Sequence, residues 1–552
     1  MPLAQPILSQ SAIQLLAYAV CDTFPGSLLV GSSFSNIDFS LDVILHCPLD
    51  SQGLILLEEK MRHVIKADLP VQSLEMMREN AVNFLRHHKQ DIKADIVSFN
   101  RSNIVRIFQM DDFVDFCPAS HMSHSGELGV IKLLEADPVE VFVKNLGYMD
   151  VIRIRGAIFT DRTELKRFVK QIDEAKKYDH CIIGPEMNLF TIDSETFRWL
   201  PKGSALVDTL QNWVHSQQRQ LGFQRMDLPL LLPQDSTRSP KKKLVTTTIN
   251  EREYLPFPTP QSLPLIKDPS INLDQPLRYF SPTNYCNLDA TDRLHGLLNP
   301  RSGFLEISQI QCSGEKLIDE LTSSLQFIGK ILKILGFKQQ WHLTPNQNPS
   351  PGNAKGWQHG YNALEKALAL CKCECLLDKQ VDREYGPRAE VGLTDATGRE
   401  WRGPFLSVDL KSLEEGSRVT YSVFGLLERF IALLIEKHQG ILPLWLAPEQ
   451  VRVLPISSKN TAYADGILRQ IEAAGFRCEV DYRPLTLAER ILCAEKERVP
   501  YFVIVGDREE RNGVITVRPC QQGTMKSDIS LPLFLDQLKQ AALHEEIGVE
   551  SK

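Results

Sequence analysis

The sequence predicts a multidomain protein that combines α-helices with mixed β-sheets. Its 552 residues exceed one ordinary core and correspond to about three or four domains of roughly 100–200 residues each. Hydrophobic residues make up 43% of the chain and charged residues 24%, which is typical of globular proteins. This composition argues against a disordered chain, a collagen-like repeat and a disulfide-dense mini-protein.

Charge and targeting signals limit the cellular location and the binding partners that the sequence predicts. No stretch approaches the roughly 18 apolar residues that a membrane helix needs, and residues 1–5 lack the features of a signal peptide. We therefore expect a cytoplasmic protein without a membrane partner, and we expect its 12 cysteines to be reduced. The net charge of −7 neither indicates nor excludes a nucleic-acid partner; DNA is not expected.

Elements alternate most clearly near the C-terminus. The order of strand and helix patterns there predicts a small, mostly parallel sheet with helices on its faces. These patterns are a strand at 451–456, a helix at 461–474 ended by Gly475, a strand at 477–480, a helix at 487–497 and a strand at 501–505. Upstream, we predict helices at 11–21 and 161–178, the latter capped by Asp161, and short strands beginning at Leu28 and Asp95.

Two cysteine motifs invite a metal interpretation. Cys371, Cys373 and Cys375 would share one face of a strand, but no second ligand pair has zinc-site spacing, so we interpret them as structural. Cys117-x3-His121-x2-His124 could ligate a metal or serve acid–base chemistry, and spacing alone also allows a structural role. The sequence contains no phosphate-binding P-loop or strand-anchored GxGxxG motif.

A series of motifs in chain order resembles the threonyl-tRNA synthetases, a family of class II aminoacyl-tRNA synthetases. The strongest match is the segment GILPLWLAPEQ at 440–450, and Phe116-Cys-Pro-Ala-Ser-His121 resembles the family's C-x3-H editing element. No residues match the ubiquitin-like module that begins the family's chains. Further matches are Arg155-Gly-Ala157, Asp179-His180, Glu251-Arg-Glu-Tyr254, Pro276-Leu-Arg278, Leu294-His-Gly-Leu297, Tyr385-Gly-Pro387, Gly425-Leu-Leu-Glu-Arg-Phe430, Arg498-Val-Pro-Tyr501 and Gly506-Asp-Arg-Glu509.

The resemblance implies an α+β multidomain fold with three principal domains. Residues 1–160 would form an editing-like α+β domain and 161–190 a connecting helix. Residues 191–440 would form a class II antiparallel-sheet catalytic-like domain, and 441–552 a C-terminal α/β anticodon-binding-type domain. Because residues 226–229 stand at the family's motif 1, where class II domains dimerise, a homodimer is expected.

The positions for amino-acid activation depart from the family pattern. Counted back from Leu294, the motif 2 arginine becomes Asn287 and its accompanying glutamate becomes Asp289. Loss of one such contact costs on the order of 3–4 kcal/mol, or ~100–1000-fold in rate. The resemblance carries over Arg429 of motif 3 and Tyr385 as the remaining catalytic positions, and ATP binding stays open.

The family holds threonine through a zinc ion with one cysteine and two histidine ligands. Those positions align with Gln261, Ile310 and Thr420, none of which is a usual zinc ligand. We therefore expect neither zinc nor another resident cofactor.

The editing and anticodon sites retain half of their expected side chains. In the editing-like domain Cys117 and His121 remain, whereas the facing H-x3-H pair becomes Gln14 and Tyr18. In the anticodon-type domain, Glu509 and Arg518 stand at base-reading positions. Two other reading positions are replaced, by Pro484 and Leu492.

Three functions follow from these patterns, and enzymatic activity stays open among them. The first is a threonyl-tRNA synthetase paralogue with lost or strongly reduced aminoacylation that binds a tRNA-like RNA or a protein. The second is a working threonine–tRNA ligase, or a ligase with altered amino-acid choice. The third is a trans-acting deacylase of mischarged tRNA that uses Cys117 and His121.

Overall fold

The computed structural model gives the positions of most of the chain. It describes residues 5–34, 38–100, 102–117, 120–143, 146–193, 196–227, 229, 231–233, 247–249, 252–256, 275–286, 296–344, 354–377, 387–410, 417–520 and 525–546. Among these residues, none of the helices is both long enough and apolar enough to cross a lipid bilayer. The chain divides into two compact units, with the division between Glu174 and Ala175.

Fourteen α-helices are present in the described ranges. They are α1 Gln5–Thr23, α2 Ser51–Ala67, α3 Arg78–His87, α4 Asp91–Ser98, α5 Arg162–Ala175, α6 His180–Glu186, α7 Pro201–Gln220, α8 Leu317–Ile334, α9 Ala354–Leu370, α10 Leu427–Lys437, α11 Thr461–Ala473, α12 Leu487–Lys496, α13 Asp507–Asn512 and α14 Leu531–Glu546. The helix predicted at 161–178 is therefore observed as α5. The strand predicted from Asp95 is wrong, because that segment lies in α4.

The strands of the described residues form six sheets. In chain order they are β1 Leu28–Phe34, β2 Asp38–Ile44, β3 Val71–Met77, β4 Ile104–Met110, β5 Phe113–Phe116, β6 Val130–Val143, β7 Gly147–Phe159, β8 Phe190–Asp193, β9 Thr196–Trp199, β10 Gln224–Arg225, β11 Leu231–Pro233, β12 Thr247–Ile249, β13 Arg252–Pro256, β14 Leu277–Cys286, β15 Ser302–Cys312, β16 Gln340–Leu343, β17 Cys375–Leu377, β18 Arg388–Thr394, β19 Glu400–Leu410, β20 Ser417–Ser422, β21 Val451–Pro455, β22 Cys478–Val480, β23 Tyr501–Val505, β24 Ile515–Pro519 and β25 Lys526–Ile529.

The first unit contains two small antiparallel sheets, each covered by helices. Strands in the order β1-β2-β7-β6 pack against α1 and α2, whose apolar side chains supply one core. Strands in the order β3-β4-β5 pack against α3 and α4 around a second core. This arrangement buries one face of each sheet, as half-exposed antiparallel sheets require.

The second unit is built on an eight-stranded sheet. Its order is β10-β14-β15-β20-β19-β18-β16-β17, and all neighbours are antiparallel except the pairs at the two ends. Helices α7, α8, α9 and α10 contribute to one large core with the apolar side chains of this sheet. Since side chains alternate between the faces of a strand, the other face is left for polar residues.

The C-terminal part of the second unit is a five-stranded sheet in the order β22-β21-β23-β24-β25. Its first three strands are parallel, as the sequence predicts, while β24 and β25 add antiparallel strands that the sequence reading missed. Helices α11 and α14 pack on one face and α12 on the other. Thr486 and Glu489 form a capping box that starts α12.

Candidate functional site

The candidate site is one face of the eight-stranded sheet, the polar face, which is defined by ten strand residues. These are Gln309 and Gln311 of β15, Arg418, Thr420 and Ser422 of β20, Phe405 and Ser407 of β19, Arg388 and Glu390 of β18, and His342 of β16. Cross-strand pairing places them on one side, since residues directly opposite each other share a face. The alternate residues form the buried face against the helices.

A strip of uncharged side chains crosses the middle of the polar face. Gln309 lies directly opposite Thr420, and Thr420 lies directly opposite Ser407. The Ser407 hydroxyl donates to the Thr420 carbonyl at 3.2 Å, while the buried Gln309 Nε2 has no partner among the described residues. Thr420 is 2% and Ser407 4% exposed, so the strip consists of buried amide and hydroxyl groups without a charge.

The structure separates two of the residues that the sequence alignment placed in one ligand set. Ile310 pairs with Val419 on the buried face and is 2% exposed, whereas Thr420 belongs to the polar face. Ile310 and Thr420 therefore cannot mark the same site, and Gln309 is the β15 residue beside Thr420. The third aligned position, Gln261, lies outside the described residues.

The polar strip does not suit a zinc ion. Zinc in proteins takes thiolate, imidazole or carboxylate ligands, and Gln309, Thr420 and Ser407 offer none of these. In the described ranges, the one group of three such donors within 4.8 Å is Asp179, His180 and Cys181. In that group, His180 Nδ1 contacts Glu436 and His180 Nε2 accepts the Leu297 N–H. Since neither imidazole nitrogen is left for a metal, the group is structural.

Charged groups at one side of the strip pair with each other. Arg388 Nη2 lies 2.7 Å from Glu390 Oε1, and its guanidinium carbon lies 3.6 Å from the centre of the Phe405 ring. Farther along, Glu400 Oε1 lies 3.1 Å from His342 Nε2 and 3.2 Å from Arg402 Nη1, as expected for ion pairs. Arg388 thus covers an aromatic ring that would otherwise be open for stacking.

Arg429 reaches this region from α10 but binds backbone. Its Nε donates to the Leu298 carbonyl at 2.7 Å and its Nη1 to the Arg402 carbonyl at 3.2 Å. Burial lowers the pKa of its guanidinium. Gly425 precedes α10 and has a φ of +68°. A Cβ at Gly425 would lie 2.4 Å from the Gly403 carbonyl oxygen, so only glycine fits there. The position predicted as catalytic therefore also clamps two chain segments.

The buried His180 binds the backbone of Leu297, which precedes the Leu298 that Arg429 binds. His180 Nδ1 lies 2.7 Å from Glu436 Oε1, and His180 Nε2 accepts the Leu297 N–H at 3.1 Å. The acceptor role of Nε2 places the proton on Nδ1, which donates to Glu436. His180 and Arg429 together fix the backbone of residues 297 and 298. Three other predicted positions, Asn287, Asp289 and Tyr385, lie outside the described residues.

The two editing-like residues of the first unit border the same apolar core, with Cys117 buried and His121 half-buried. Gln10 Nε2 lies 3.3 Å from Cys117 Sγ, and the His121 ring meets Phe108 edge-to-face at 4.8 Å. Burial lowers the pKa of His121, and its Nε2 has no partner within the described part of the chain. The cavity beside His121 measures about 10 Å³, the size of one water molecule.

The facing helix carries the two replacements. Gln14 Nε2 donates to Asp115 Oδ2 at 3.1 Å, and the Tyr18 ring packs edge-to-face on Phe113 at 5.9 Å. Both side chains therefore serve packing between α1 and β5.

The two predicted base-reading residues of the C-terminal domain have partners within it. Glu509 accepts from the Gly506 N–H at 3.0 Å and from Thr516 Oγ1 at 3.1 Å. Arg518 Nη2 donates to Glu495 Oε1 at 2.5 Å. Leu492 is 66% exposed.

Sequence reasoning missed most of the polar face. It did not select Gln309, Arg388, Glu390, Phe405 or Ser407. The available signal was the period-two alternation of polar residues in two adjacent strands, Arg418-Val-Thr420-Tyr-Ser422 and Phe405-Leu-Ser407.

Comparisons with known proteins agree with this architecture. Residues 450–541 match the family model described as an anticodon binding domain. A threonine–tRNA ligase of Syntrophomonas wolfei is 27% identical over 98% of this chain and 89% of its own length. One from Thermotoga neapolitana is 28% identical over 89% of this chain and 80% of its own length.

Solved structures support the fold. The RNA binding domain of threonyl-tRNA synthetase from Cryptosporidium parvum is 22% identical, with a TM-score of 0.59, and aligns with 66% of this chain and 98% of its own. A putative threonyl-tRNA synthetase from Aeropyrum pernix is 15% identical, with a TM-score of 0.54, over 67% of this chain and 96% of its own. The predicted α+β multidomain fold is confirmed, and the chain is similar to threonine–tRNA ligases over most of its length, with residues 450–541 matching an anticodon binding domain.

Proposed function

We propose that this protein binds tRNA or a tRNA-like RNA in the cytoplasm as a homodimer and that its amino-acid activation is lost or strongly reduced. The observation that carries the proposal is the strip of Gln309, Thr420 and Ser407 across the polar face. Without charged or metal-binding groups, this strip cannot grip the amine and hydroxyl of threonine through a metal. We therefore expect no zinc.

The charge pattern around the strip supports the same conclusion. The Arg429 guanidinium donates to two backbone carbonyls, and Arg388 pairs with Glu390 and stacks on Phe405. A triphosphate needs cations that are free to turn toward it. Since these two arginines already have protein partners, ATP would have to displace them, and we expect weak ATP binding.

RNA binding is proposed for the domain that matches the anticodon-binding model. Residues 441–552 contain 14 Lys+Arg and 16 Asp+Glu, a net charge of −2, so general attraction to phosphates is weak. Arg518 and Glu509 each have a protein partner. We expect modest affinity and little discrimination between anticodons.

Amino-acid activation is tested by ATP–pyrophosphate exchange on the purified full chain, with each amino acid, with and without zinc. We expect exchange at background level, about 100-fold or more below a working ligase assayed in parallel. Exchange clearly above background would instead favour a ligase with altered amino-acid choice, and the active amino acid would identify the substrate.

RNA binding is tested by gel shift with threonine tRNA, a non-cognate tRNA and an unstructured RNA of equal length. We expect both tRNAs to bind better than the unstructured RNA. Arg518→Gln should weaken binding, whereas Arg469→Gln, an exposed position on α11, serves as its control. Equal binding of all three RNAs would contradict the proposal.

A deacylase function is not favoured, because the cavity beside His121 has room for about one water. The deacylase function would be supported if the wild-type protein hydrolysed mischarged seryl-tRNA and the Cys117→Ala variant did not.

A further inference from the structure

A cavity of about 680 Å³ lies within the second unit, between the start of α7 and the C-terminal sheet. Its volume falls in the range of small-molecule sites. The lining combines Leu200, Pro201 and Lys202 of the α7 region with residues 479–483, which end β22 and continue beyond it. Arg452 of β21 and Glu497 complete the interior.

The interior of the cavity is an ion network that is already neutralised. Lys202 Nζ lies 2.6 Å from Glu449 and 3.0 Å from Glu497. Arg452 Nη2 lies 2.5 Å from Glu449 and 2.6 Å from Glu497. The opposing carboxylates raise the pKa of Lys202 against the effect of its burial. These inner groups therefore hold the two segments together and leave little free charge for a ligand.

The outer part of the lining differs, because it exposes one charge of each sign. Glu479 is 56% exposed, and Lys202 at 3.5 Å is its ion-pair partner within the described residues. Arg483 is 42% exposed and pairs with Asp481 at 2.5 Å and with Glu497 at 3.7 Å. Tyr482 lies between these two positions with 56% of its surface exposed. A ligand at the mouth would therefore meet a carboxylate, an aromatic ring and a guanidinium in succession.

One donor inside the cavity wall lacks an acceptor. Arg452 is 3% exposed, lines the cavity, and its Nη1 has no hydrogen-bond partner among the residues that the structure describes. A buried donor without an acceptor costs about 1–3 kcal/mol. An oxygen-bearing ligand could supply that acceptor, and Leu200, Pro201 and Val480 give its remaining atoms an apolar wall.

We propose that this cavity binds a small zwitterionic ligand of the amino-acid class, with its carboxylate toward Arg483 and Arg452 and its ammonium toward Glu479. Both charges of the ligand are needed, because the ligand has to replace one partner in each of the two partly exposed ion pairs at the mouth, Glu479–Lys202 and Arg483–Asp481, and exposed pairs are weak. The apolar wall and the Tyr482 ring contact the side chain, so larger apolar amino acids bind more tightly than glycine. The site is separate from the polar face, and its existence does not depend on the RNA function.

The test is calorimetric titration of the full-length protein with free amino acids, their N-acetyl derivatives and their amides. We expect binding of free amino acids and at least about tenfold weaker binding of both derivatives, each of which lacks one charge. Glu479→Gln and Arg483→Gln should each weaken binding by about tenfold or more. Both residues are substantially exposed, so the variants should fold.

The matched controls are Glu472→Gln and Arg469→Gln, exposed positions on α11 outside the cavity, which should leave affinity unchanged. Absence of any binding at about 10 mM amino acid would overturn the proposal. So would affinity that survives both cavity variants but is lost in Arg388→Gln, because the ligand would then lie on the polar face.

Discussion

The two faces of the eight-stranded sheet have opposite characters. The buried face carries Leu406, Val419 and Tyr421, each 0–1% exposed, within the largest core that the described residues form. One residue away along the same strands, the polar face carries Ser407 and Thr420, which are also buried, at 4% and 2% exposed. The two faces therefore differ in chemistry and not in exposure: apolar packing stabilises one, and hydrogen-bonding groups line the other.

This difference explains how the architecture can persist where the chemistry differs. Changing a polar-face residue alters a hydrogen bond, which contributes about 1 kcal/mol. Changing a buried-face residue removes transfer free energy and leaves a cavity. A chain can consequently exchange its ligand-binding groups on the polar face and still keep the same fold. Substitutions on each face can therefore separate the hydrogen-bonding role of the polar face from the packing role of the buried face.

The largest expected effect is that of truncation on the buried face. Leu406→Ala should lower the free energy of unfolding by about 2–5 kcal/mol, because it removes a fully buried side chain. The adjacent Ser407→Ala should cost about 1 kcal/mol, the value of the lost bond to the Thr420 carbonyl. Urea unfolding of both variants makes the comparison, and equal losses would contradict the division between the faces.

The second prediction concerns a buried acid behind the sheet. Burial raises the pKa of Glu428 to about 7 from 4.5, and its Oε2 accepts the Phe304 N–H at 2.9 Å. Between these pH values the folded protein binds more protons than the unfolded chain, so its stability falls as pH rises. The loss is on the order of 3 kcal/mol.

Glu428→Gln removes that titration. The difference in unfolding free energy between variant and wild type should therefore shift in favour of the variant from pH 5 to pH 8. A constant difference would show that Glu428 titrates normally. Glu472→Gln, at an exposed position, is the control.

The third prediction sharpens the role of Arg429. Arg429→Lys cannot reach both the Leu298 and Arg402 carbonyls with a single ammonium group. It should cost about 1–3 kcal/mol in thermal or urea unfolding, with Arg469→Lys as the exposed control. Unchanged stability would mean that Arg429 does not clamp the chain and is available for a ligand.

The smallest effect is expected in the first unit. Because burial lowers the pKa of His121, the unfolded chain takes up its proton first as pH falls. The contribution of His121 to stability is therefore present above pH 6.5 and is lost as the pH falls below it. His121→Phe, which keeps a ring against Phe108, should be less sensitive to acid than wild type. A parallel pH dependence in both proteins would exclude this role.

The sequence predicted the architecture more reliably than the site. Repeating patterns located α5, α11, α12 and the parallel strands of the C-terminal sheet, because period and caps are local signals. The order of motifs predicted the α+β multidomain fold class that the comparisons confirm. Strands β24 and β25 were missed, since strands of five and four residues carry little pattern.

The error at Ile310 has a simple physical cause. Counting from Gly303 crosses a strand in which side chains alternate, so an offset of one residue moves the chosen position to the other face. Only the cross-strand pairs of β15 and β20 show that Gln309, and not Ile310, lies beside Thr420. The three clustered cysteines were also misplaced, because only Cys375 lies in a strand and it is exposed.

The contact between His180 and Glu436 has a consequence for synthesis. These residues are 256 positions apart, so the loop that joins them must close before α10 can seal the central core. Long loop closure slows folding, and chains still on the ribosome would expose the buried face of the sheet to aggregation. Production of this protein should therefore depend more on chaperones and slow translation than its final stability suggests.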